Sequence, residues 1–380
     1  MSTFIKNAHL VSPGVDLFDA ALELENGRIK RVLAADEPLP KGCEVFDAAG
    51  RMVVPGFIDT HVHGGMGYDV TGDDGKGVGI IAEAKLKEGV TSFCPTTLTL
   101  PEEQLAAAMR NIEAYRLAPT GSKVIGTHLE GPFVNPECAG AQNPAYIRRA
   151  DINEVLRLHA ISPVALVTYA IEPEGSLTFT KQLHEAGIRG SCGHTNATYA
   201  QFREAMELGL LRLTHFCNQM TRLHHREIGL VGAGIMEDDV AIEMICDTIH
   251  LCPDMIRLAF KVKPINKILL ITDAMEATGL PDGNYHLGGL AVTVADGAAR
   301  LVSNGALAGS TLRLNDALRH AFEETGLPLK ELVKTTSWNQ AQDLGLTGLG
   351  KLEAGYAADI VVLDEAFKVE AVFVDGVRKI

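Results

Sequence analysis

The series of runs that decides the fold begins with VPGFIDTHVH (residues 54–63), VTSFCPT (90–96) and KVIGTHLEG (123–131). Five further runs of the same character follow: VALVTYAIE (164–172), IRGSCGHT (188–195), LRLTHFCN (211–218), AIEMICDTIH (241–250) and KILLITDA (267–274). Helical patterns such as EEQLAAAMRNIEAY and YAQFREAMELG lie between them. Repeated strand–helix units predict a parallel sheet, and a count of eight predicts an α/β fold with a closed (β/α)8 TIM-type barrel.

Both chain ends have a different character from this middle. Segments such as FIKNAHLVSPG near the start, and IVVLD and VEAVFVDG near the end, combine strand-like alternation with turn signals. We expect the two ends to meet as one small β-sandwich domain, formed by residues 1–53 plus 347–380. The predicted catalytic barrel then spans residues 54–346.

Composition excludes several classes of protein. The 380 residues are 46% hydrophobic, which suits a large core, and the formal net charge of -14 argues against a nucleic-acid partner. The seven cysteines are scattered without a CxxC pair, which argues against a disulfide framework. The sequence has neither a secretory signal pattern nor an apolar run of roughly 20 residues, so we expect a cytoplasmic protein without a membrane partner.

Polar residues mark the ends of the predicted barrel strands, where the active sites of such barrels lie. His61 and His63 are two apart at the end of the first strand, so both imidazoles point to the same side and suit one metal ion. Asp59 has the same parity and is expected to orient a histidine from behind. The alternative is that HxH is simply a pair of polar loop residues.

The third, fifth and sixth runs add Glu130, His194 and His215. Each taken singly fits a hydrogen-bonded core residue as well as a ligand, and His128, with the parity of Glu130, is a lesser candidate. One Glu and two His on converging strands fit a catalytic zinc or iron(II) site with an open position for water.

Asp273 closes the eighth run, LLITDA. One interpretation makes it the N-cap of a following helix, a position that Asp favours. The other makes it a proton-transfer group beside metal-activated water. We favour proton transfer, because the other candidate ligands converge on the same rim.

The segment RLHHREIGLVGAG (222–234) places Arg222, His224, His225 and Arg226 after the sixth strand. Such a cluster is compatible with a solvated face. In a chain of net charge -14 it also suits an anionic group on the substrate, because Arg is shaped for bidentate phosphate contact.

The motifs GTHLEGPF, GHTNAT, THFCNQM followed by LHHREIGLVGA, ITDAMEATG and LAGST resemble, in this order and spacing, those of N-acetylglucosamine-6-phosphate deacetylases in the amidohydrolase superfamily. The resemblance covers essentially the whole chain. PGFID and AGxxADIVVLD are shared widely among amidohydrolases, whereas HLEGPF with HHREIGL is more specific to these deacetylases.

The resemblance implies a metal held by Glu130, His194 and His215, with Asp273 as general base and then acid. A second metal is implied by His61 and His63 together with Asp273, so one or two ions of zinc or iron(II) are expected per subunit. The fourth run contains no Lys for the carbamylated bridge of related enzymes, and Glu130 is expected to bridge instead. A homodimer is a further implication.

The resemblance also implies a substrate-binding set. Arg226 is expected to bind the phosphate with the backbone at Asn218 and Gln219, and His250, ending the seventh strand, to contact the sugar. The remaining contacts are implied at Ala141, Gln142, Leu307, Ala308 and Gly309. Two positions depart from the family pattern: Gln219 replaces a common Ala, and Gln142 stands where a His is often found near the substrate carbonyl.

These expectations combine into one predicted reaction. Metal-activated water, with Asp273 as general base and then acid, removes the acetyl group from N-acetylglucosamine 6-phosphate and gives glucosamine 6-phosphate and acetate. The alternatives are an N-acetylgalactosamine-6-phosphate deacetylase, a cyclic amidase, an N-acyl-amino-acid deacylase, or a non-catalytic metal- or sugar-binding protein. A need for Arg226 separates phosphorylated from unphosphorylated substrates.

Overall fold

A barrel of eight parallel strands occupies the centre of the computed structural model, which describes residues 2–34, 37, 40, 42–72 and 75–380. Each predicted run contributes one strand, and consecutive strands pair in parallel around the barrel. The barrel strands are Phe57–Val62, Val90–Thr97, Lys123–Val124 continued by Thr127–Glu130, Val164–Tyr169, Arg189–Cys192, Arg212–Leu213, Ala241–Met244 and Ile268–Leu270. The predicted (β/α)8 class is therefore confirmed.

The barrel closes where the first strand meets the segment after the eighth. The backbone N–H of Asp273 donates to the carbonyl of His61 at 2.9 Å, and a parallel bridge joins Val62 to Ala274. Closure therefore places two predicted site residues on neighbouring backbones, although they are far apart in the sequence.

Helices cover the outside of the barrel. The helix Glu102–Leu117 shows why: it buries Leu105, Ala108, Met109 and Ile112, which form one stripe of helical spacing against the strands. The α-helices are Gly77–Leu86, Glu102–Leu117, Ile152–His159, Ser176–Glu185, Tyr199–Glu207, Gly229–Met236, Pro253–Val262, Leu314–Thr325, Leu329–Leu332 and Trp338–Asp343. Short 3-10 turns lie at Pro136–Cys138, Pro144–Tyr146, Ile265–Lys267 and Val333–Thr336. In the described part of the chain, no helix has both the length and the apolar character needed to cross a bilayer.

The two chain ends pair in one eight-stranded sheet, as predicted. Its strands are Thr3–Ser12, Val15–Glu25, Arg28–Leu33, Glu44–Asp47, Met52–Pro55, Ile360–Leu363, Val369–Val374 and Val377–Arg378. Ile360 and Val362 face the core of this domain, whereas Val361 and Leu363 pack with the barrel cluster, as the period of two in a strand requires. The boundaries 1–53 plus 347–380 and 54–346 stay a prediction.

A further three-stranded antiparallel sheet was not predicted. It comprises Gly283–Leu287, Leu290–Ala295 and Ala298–Leu301 and lies between the eighth barrel strand and the helix Leu314–Thr325. The turn dipeptides Gly288-Gly289 and Asp296-Gly297 between alternating residues carried the signal for it.

Three predicted runs differ in detail from the strands observed. The third strand is interrupted near Gly126, whose φ of 140° and close approach to Ala165 favour glycine. The sixth strand ends at Leu213 and the seventh at Met244. His215 therefore lies just beyond the sixth strand rather than within it, and His250 lies in the loop after the seventh rather than at its end.

Candidate active site

Six side chains converge at the carboxyl ends of the barrel strands. His61 lies in the first strand, His63 directly follows it, and Glu130 ends the third strand. His194, His215 and Asp273 follow the fifth, sixth and eighth strands within three residues. All six are buried, with exposed fractions between 0% and 7%. The barrel thus collects every proposed ligand and the proposed base at one point.

Three of these six residues have a strained backbone. His194, His215 and Asp273 have φ values of 49°, 29° and 53°, in the left-handed region that side chains other than Gly rarely adopt. The carbonyl of Asp273 is held by the N–H of Ser310 at 2.7 Å, which fixes this conformation. Strain of this kind persists where the surroundings impose it, and it is commonly found at functional sites.

The six residues form two donor groups suited to a metal ion. One group is His61, His63 and Asp273; the other is Glu130, His194 and His215. Within each group the donor atoms all lie within 4.8 Å of one another. Imidazole and carboxylate donors in a set of three are those of catalytic zinc and non-haem iron sites.

The hydrogen bonds of the histidines decide which nitrogen is free. Three of the rings place Nδ1 beside a backbone carbonyl, which only accepts, so Nδ1 carries the hydrogen. The contacts are His63 to Thr96 at 3.2 Å, His194 to Cys138 at 2.9 Å and His215 to Asn218 at 3.1 Å. In the neutral ring, Nε2 of each therefore presents a lone pair to the centre of the site.

These lone pairs meet each other. Nε2 of His194 lies 3.1 Å from Nε2 of His215, and Nε2 of His61 lies 3.2 Å from Nε2 of His63. Two lone pairs at that distance repel unless positive charge lies between them. The donor set therefore fits a divalent cation better than it fits a hydrogen-bonded core.

Glu130 belongs to the second donor group and also faces the first. Its Oε1 is 3.3 Å from His194 and 3.1 Å from His215, while its Oε2 is 3.2 Å from Nε2 of His63. One carboxylate thus faces both donor groups, which is the arrangement that a bridging ligand requires.

The carboxylates and imidazoles of the site shift one another's pKa values. Burial lowers the pKa of His63, but its bonds with Asp273 and Glu130 outweigh burial and raise the pKa to about 9. Burial likewise raises the pKa of Glu130, but His61 and the other imidazoles hold that pKa well below its ordinary value. Positive charge from a proton or from a cation stabilises the cluster.

A comparison with known families decides the membership of the chain. The family model described as the amidohydrolase family matches residues 52–379. The chain belongs to the amidohydrolase family.

Relatives of this amidohydrolase include named deacetylases. It is 37% identical over 369 residues to the N-acetylglucosamine-6-phosphate deacetylase of Lysinibacillus sphaericus, covering 96% of this chain and 94% of that protein. It is 38% identical over 364 residues to the N-acetylgalactosamine-6-phosphate deacetylase of Escherichia coli O157:H7, covering 95% and 94%. These matches confirm the resemblance read from the motifs.

A solved structure shares the fold closely. A mutant N-acetyl-D-glucosamine-6-phosphate deacetylase from Mycobacterium smegmatis, in complex with N-acetyl-D-glucosamine-6-phosphate, aligns with a TM-score of 0.92 at 32% identity. The alignment covers 99% of each chain. Barrel and end domain of the amidohydrolase therefore correspond to those of a sugar-phosphate deacetylase.

Asp59 does not occupy the place predicted for it. Its carboxylate accepts hydrogen bonds from Lys85 at 3.2 Å and from the Thr272 hydroxyl at 2.6 Å, and from the backbone N–H of His61 at 3.3 Å. Asp59 therefore fixes the backbone of the first and eighth strands rather than an imidazole, because its side chain is drawn to the buried ammonium.

Two further interpretations from the sequence are resolved by contacts. Among the described residues the next element after Asp273 is the strand Gly283–Leu287 and not a helix, and Ala274 bridges to Ser310, so the N-cap interpretation of Asp273 is wrong. His128 bonds to the Thr168 hydroxyl at 2.7 Å and to the carbonyl of Thr60 at 3.2 Å. Its ring is thus satisfied within the barrel core and lies outside both donor groups.

Gln142 reaches the site through Glu130. Its side-chain amide donates to Oε2 of Glu130 at 2.6 Å and accepts from the backbone N–H of Thr99 at 2.7 Å. The residue predicted near the substrate carbonyl therefore also restrains the shared carboxylate. Ala141 precedes it in the same loop, where Gly140 packs against the side chain of Gln219.

Arg226 lies in an exposed loop beyond the sixth strand. Its guanidinium contacts the His225 ring at 2.8 Å, and in the described part of the chain it forms no ion pair. The backbone at Asn218 and Gln219 lies in the turn after His215, where the Asn218 carbonyl accepts from the His215 ring. The turn is part of the site, and the arginine remains available for an anion.

The last two predicted contacts lie at the rim. The Asp247 carboxylate lies 2.6 Å from Nδ1 of His250 and holds the ring. A contact between this ring and a sugar would therefore be made through Nε2. Leu307, Ala308 and Gly309 precede Ser310; a Cβ on Gly309, at φ 61°, would come within 3.0 Å of the Asp273 carbonyl. This loop is thus packed directly against the segment that carries Asp273.

Three buried charged residues near the site were missed. Glu243, Arg212 and Lys85 are 0% to 1% exposed. Arg212 donates to Glu243, and Lys85 donates to Asp59. A signal existed in the sequence, because Glu243 and Arg212 interrupt apolar strand runs, AIEMI and LRLT. Their partners, however, lie on other strands and cannot be read from local pattern.

Proposed function

We propose that this amidohydrolase removes the acetyl group from N-acetylglucosamine 6-phosphate, giving glucosamine 6-phosphate and acetate. The observation that carries the proposal is the pair of donor groups joined by Glu130, with Asp273 at their edge. The substrate is taken from the deacetylases to which the chain is similar over nearly its whole length.

Glu130, His194 and His215 would hold one divalent ion, and His61, His63 and Asp273 a second. Zinc and iron(II) both suit these donors, and one or two ions per subunit are compatible with them. When bound, such an ion polarises the amide carbonyl and lowers the pKa of water at the site. Every buried lone pair described above then has a cationic partner.

Asp273 moves the proton in the proposed reaction. Water adds its oxygen to the acetamide carbonyl carbon while the Asp273 carboxylate accepts a proton from that water. Asp273 then donates this proton to the sugar nitrogen as the C–N bond breaks, which releases acetate and the free amine. Its Oδ1 lies 3.2 Å from Nε2 of His63 and 3.4 Å from Nε2 of His61, within reach of a small molecule at the cluster.

The surrounding loops would orient the sugar phosphate. Arg226 binds the phosphate together with the backbone at Asn218 and Gln219, and His250 contacts the sugar. Ala141, Gln142 and residues 307–309 line the remaining side. The support for this set is its location: the loops carrying these residues follow the third, sixth, seventh and eighth strands, at the same end of the barrel as the donor groups.

The test is acetate release by metal-replete protein from N-acetylglucosamine 6-phosphate, with the unphosphorylated sugar as the matched control. We expect turnover confined to the phosphorylated sugar. Arg226→Met should raise KM for it by roughly tenfold to a hundredfold while kcat changes less, because a charged hydrogen bond contributes about 1.5–3 kcal/mol. No turnover of either sugar by metal-bound protein would overturn the proposal.

The galactosamine epimer is a second candidate substrate. The chain is 38% identical to an N-acetylgalactosamine-6-phosphate deacetylase, as similar as it is to the glucosamine enzyme. Comparing kcat/KM for the two epimers at equal metal content decides between them.

We also propose a homodimer in the cytoplasm. The dimer rests on the family resemblance, and light scattering of the purified protein tests it. Cell fractionation tests the location.

A further inference from the structure

Glu243 joins the two donor groups from below. It lies in the seventh barrel strand, Ala241–Met244, and is fully buried. Its Oε2 is 3.1 Å from Nδ1 of His61 and accepts from the backbone N–H of His215 at 3.2 Å. A single carboxylate oxygen thus holds one residue from each group.

The other oxygen of Glu243 is held by Arg212. Oε1 accepts from Nε at 3.0 Å and from Nη2 at 2.6 Å, and the guanidinium continues to the Thr60 hydroxyl at 2.7 Å and to Asp343. Both carboxylate oxygens are therefore occupied, so the side chain cannot rotate away from His61 without breaking buried hydrogen bonds.

His61 differs from the other three histidines in what its Nδ1 faces. His63, His194 and His215 face neutral backbone carbonyls, whereas His61 faces a carboxylate. A carboxylate bonded to the rear nitrogen fixes the tautomer and makes the front nitrogen a stronger donor. Nε2 of His61, like Nε2 of His63, lies within 3.4 Å of both Glu130 and Asp273.

We infer that Glu243 is a positioning residue that sets His61 for cation binding, with Arg212 holding Glu243 in place. The inference rests on the proposed function, which supplies the cation. It concerns how the chain prepares its donors, and assigns a role to two residues outside the proposed ligand set.

The competing explanation is purely structural: Glu243 and Arg212 form a buried ion pair that fills the barrel. Asp343 separates the two explanations. It is the second carboxylate on Arg212 and also contacts Arg189, but in the described residues it touches no member of either donor group. Removing its charge perturbs the same ion network without touching His61.

The experiment compares Glu243→Gln and Glu243→Asp with Asp343→Asn. Each full-length protein is stripped of metal, its melting temperature is recorded, and zinc affinity is measured by competition with a chromogenic chelator. We expect both Glu243 variants to bind zinc about 10- to 100-fold more weakly, the usual cost of losing such a partner. Asp343→Asn should bind within about twofold of wild type even where its melting temperature falls.

Other outcomes overturn the inference in distinguishable ways. Wild-type affinity in folded Glu243 variants removes the positioning role alone, and an equal loss in Asp343→Asn assigns the effect to the ion network. If Glu243→Gln does not fold, Glu243→Asp decides, since it keeps the charge for Arg212 and withdraws it from His61. Failure of both to fold assigns Glu243 to the fold, and a wild type that binds no zinc or iron(II) overturns the proposed function as well.

Discussion

Two clusters of buried charge lie one above the other in this barrel, and they differ in how they are neutralised. In the lower cluster, Lys85 pairs with Asp59 and Glu88, and Arg212 pairs with Glu243 and Asp343. Every carboxylate there faces a lysine or an arginine.

In the upper cluster, Glu130 and Asp273 face imidazole nitrogens, and Glu130 also accepts from the neutral amide of Gln142, so in the described residues neither carboxylate pairs with a lysine or an arginine. Those nitrogens present lone pairs to one another, because their rear nitrogens are committed to carbonyls or to Glu243. Both clusters contain buried carboxylates, so buried charge by itself does not mark an active site. What distinguishes the upper cluster is that its donors lack a positive partner within the protein.

The comparison predicts the largest effect at Asp273. Asp273→Asn should lower the rate of acetate release by about 10²–10⁴-fold, the usual contribution of a proton-transfer group. The fold should survive, because Asn has the same shape, and metal at Glu130, His194 and His215 should be retained. Steady-state kinetics with metal analysis checks both parts. Asp316→Asn, on a helix outside the site, is the matched control, and normal turnover by Asp273→Asn would remove this residue from the mechanism.

Lys85 belongs to the lower cluster but contacts neither donor group among the described residues, so its removal should affect stability instead of chemistry. Lys85→Met leaves Asp59 and Glu88 without their buried cation, so we expect a loss of about 3–5 kcal/mol in the free energy of unfolding. Urea denaturation of the metal-free protein measures it. The exposed neighbour Lys87→Met should change stability by less than about 0.5 kcal/mol. A loss of metal binding at unchanged stability would place Lys85 in the upper cluster and break the comparison.

The smallest expected effect on catalysis is at Gln142, which contacts the upper cluster through Glu130. Gln142→Leu removes the amide that restrains Glu130 and leaves the Thr99 N–H unpaired. A hydrogen bond to a charged group contributes about 1.5–3 kcal/mol, so loss of the bond that orients Glu130 should lower kcat/KM by roughly tenfold. Gln219→Leu, at an exposed glutamine of the neighbouring loop, should have little effect, because its predicted contact is through the backbone. Equal kinetics for both variants would contradict a role for Gln142 in holding Glu130.

Local sequence pattern is enough to predict the barrel and to identify the residues at its rim. Eight apolar runs fixed eight strands, and strand ends in a parallel barrel meet at one edge, so His61, His63, Glu130, His194 and Asp273 had to converge. That inference needs only strand periodicity and order along the chain, which are local properties.

The orientation and support of these residues depend on contacts that form only inside the closed barrel. Glu243 contacts His61 across 182 positions, and Lys85 reaches Thr272 across 187. Such pairings depend on which side chains face each other inside the closed barrel, and neither hydrophobic period nor motif spacing encodes that. The same reason explains the different outcome at Asp59, which was predicted to orient an imidazole and instead accepts a hydrogen bond from Lys85. The alternation of the strand predicts the side to which Asp59 points, but its partner on that side belongs to another element.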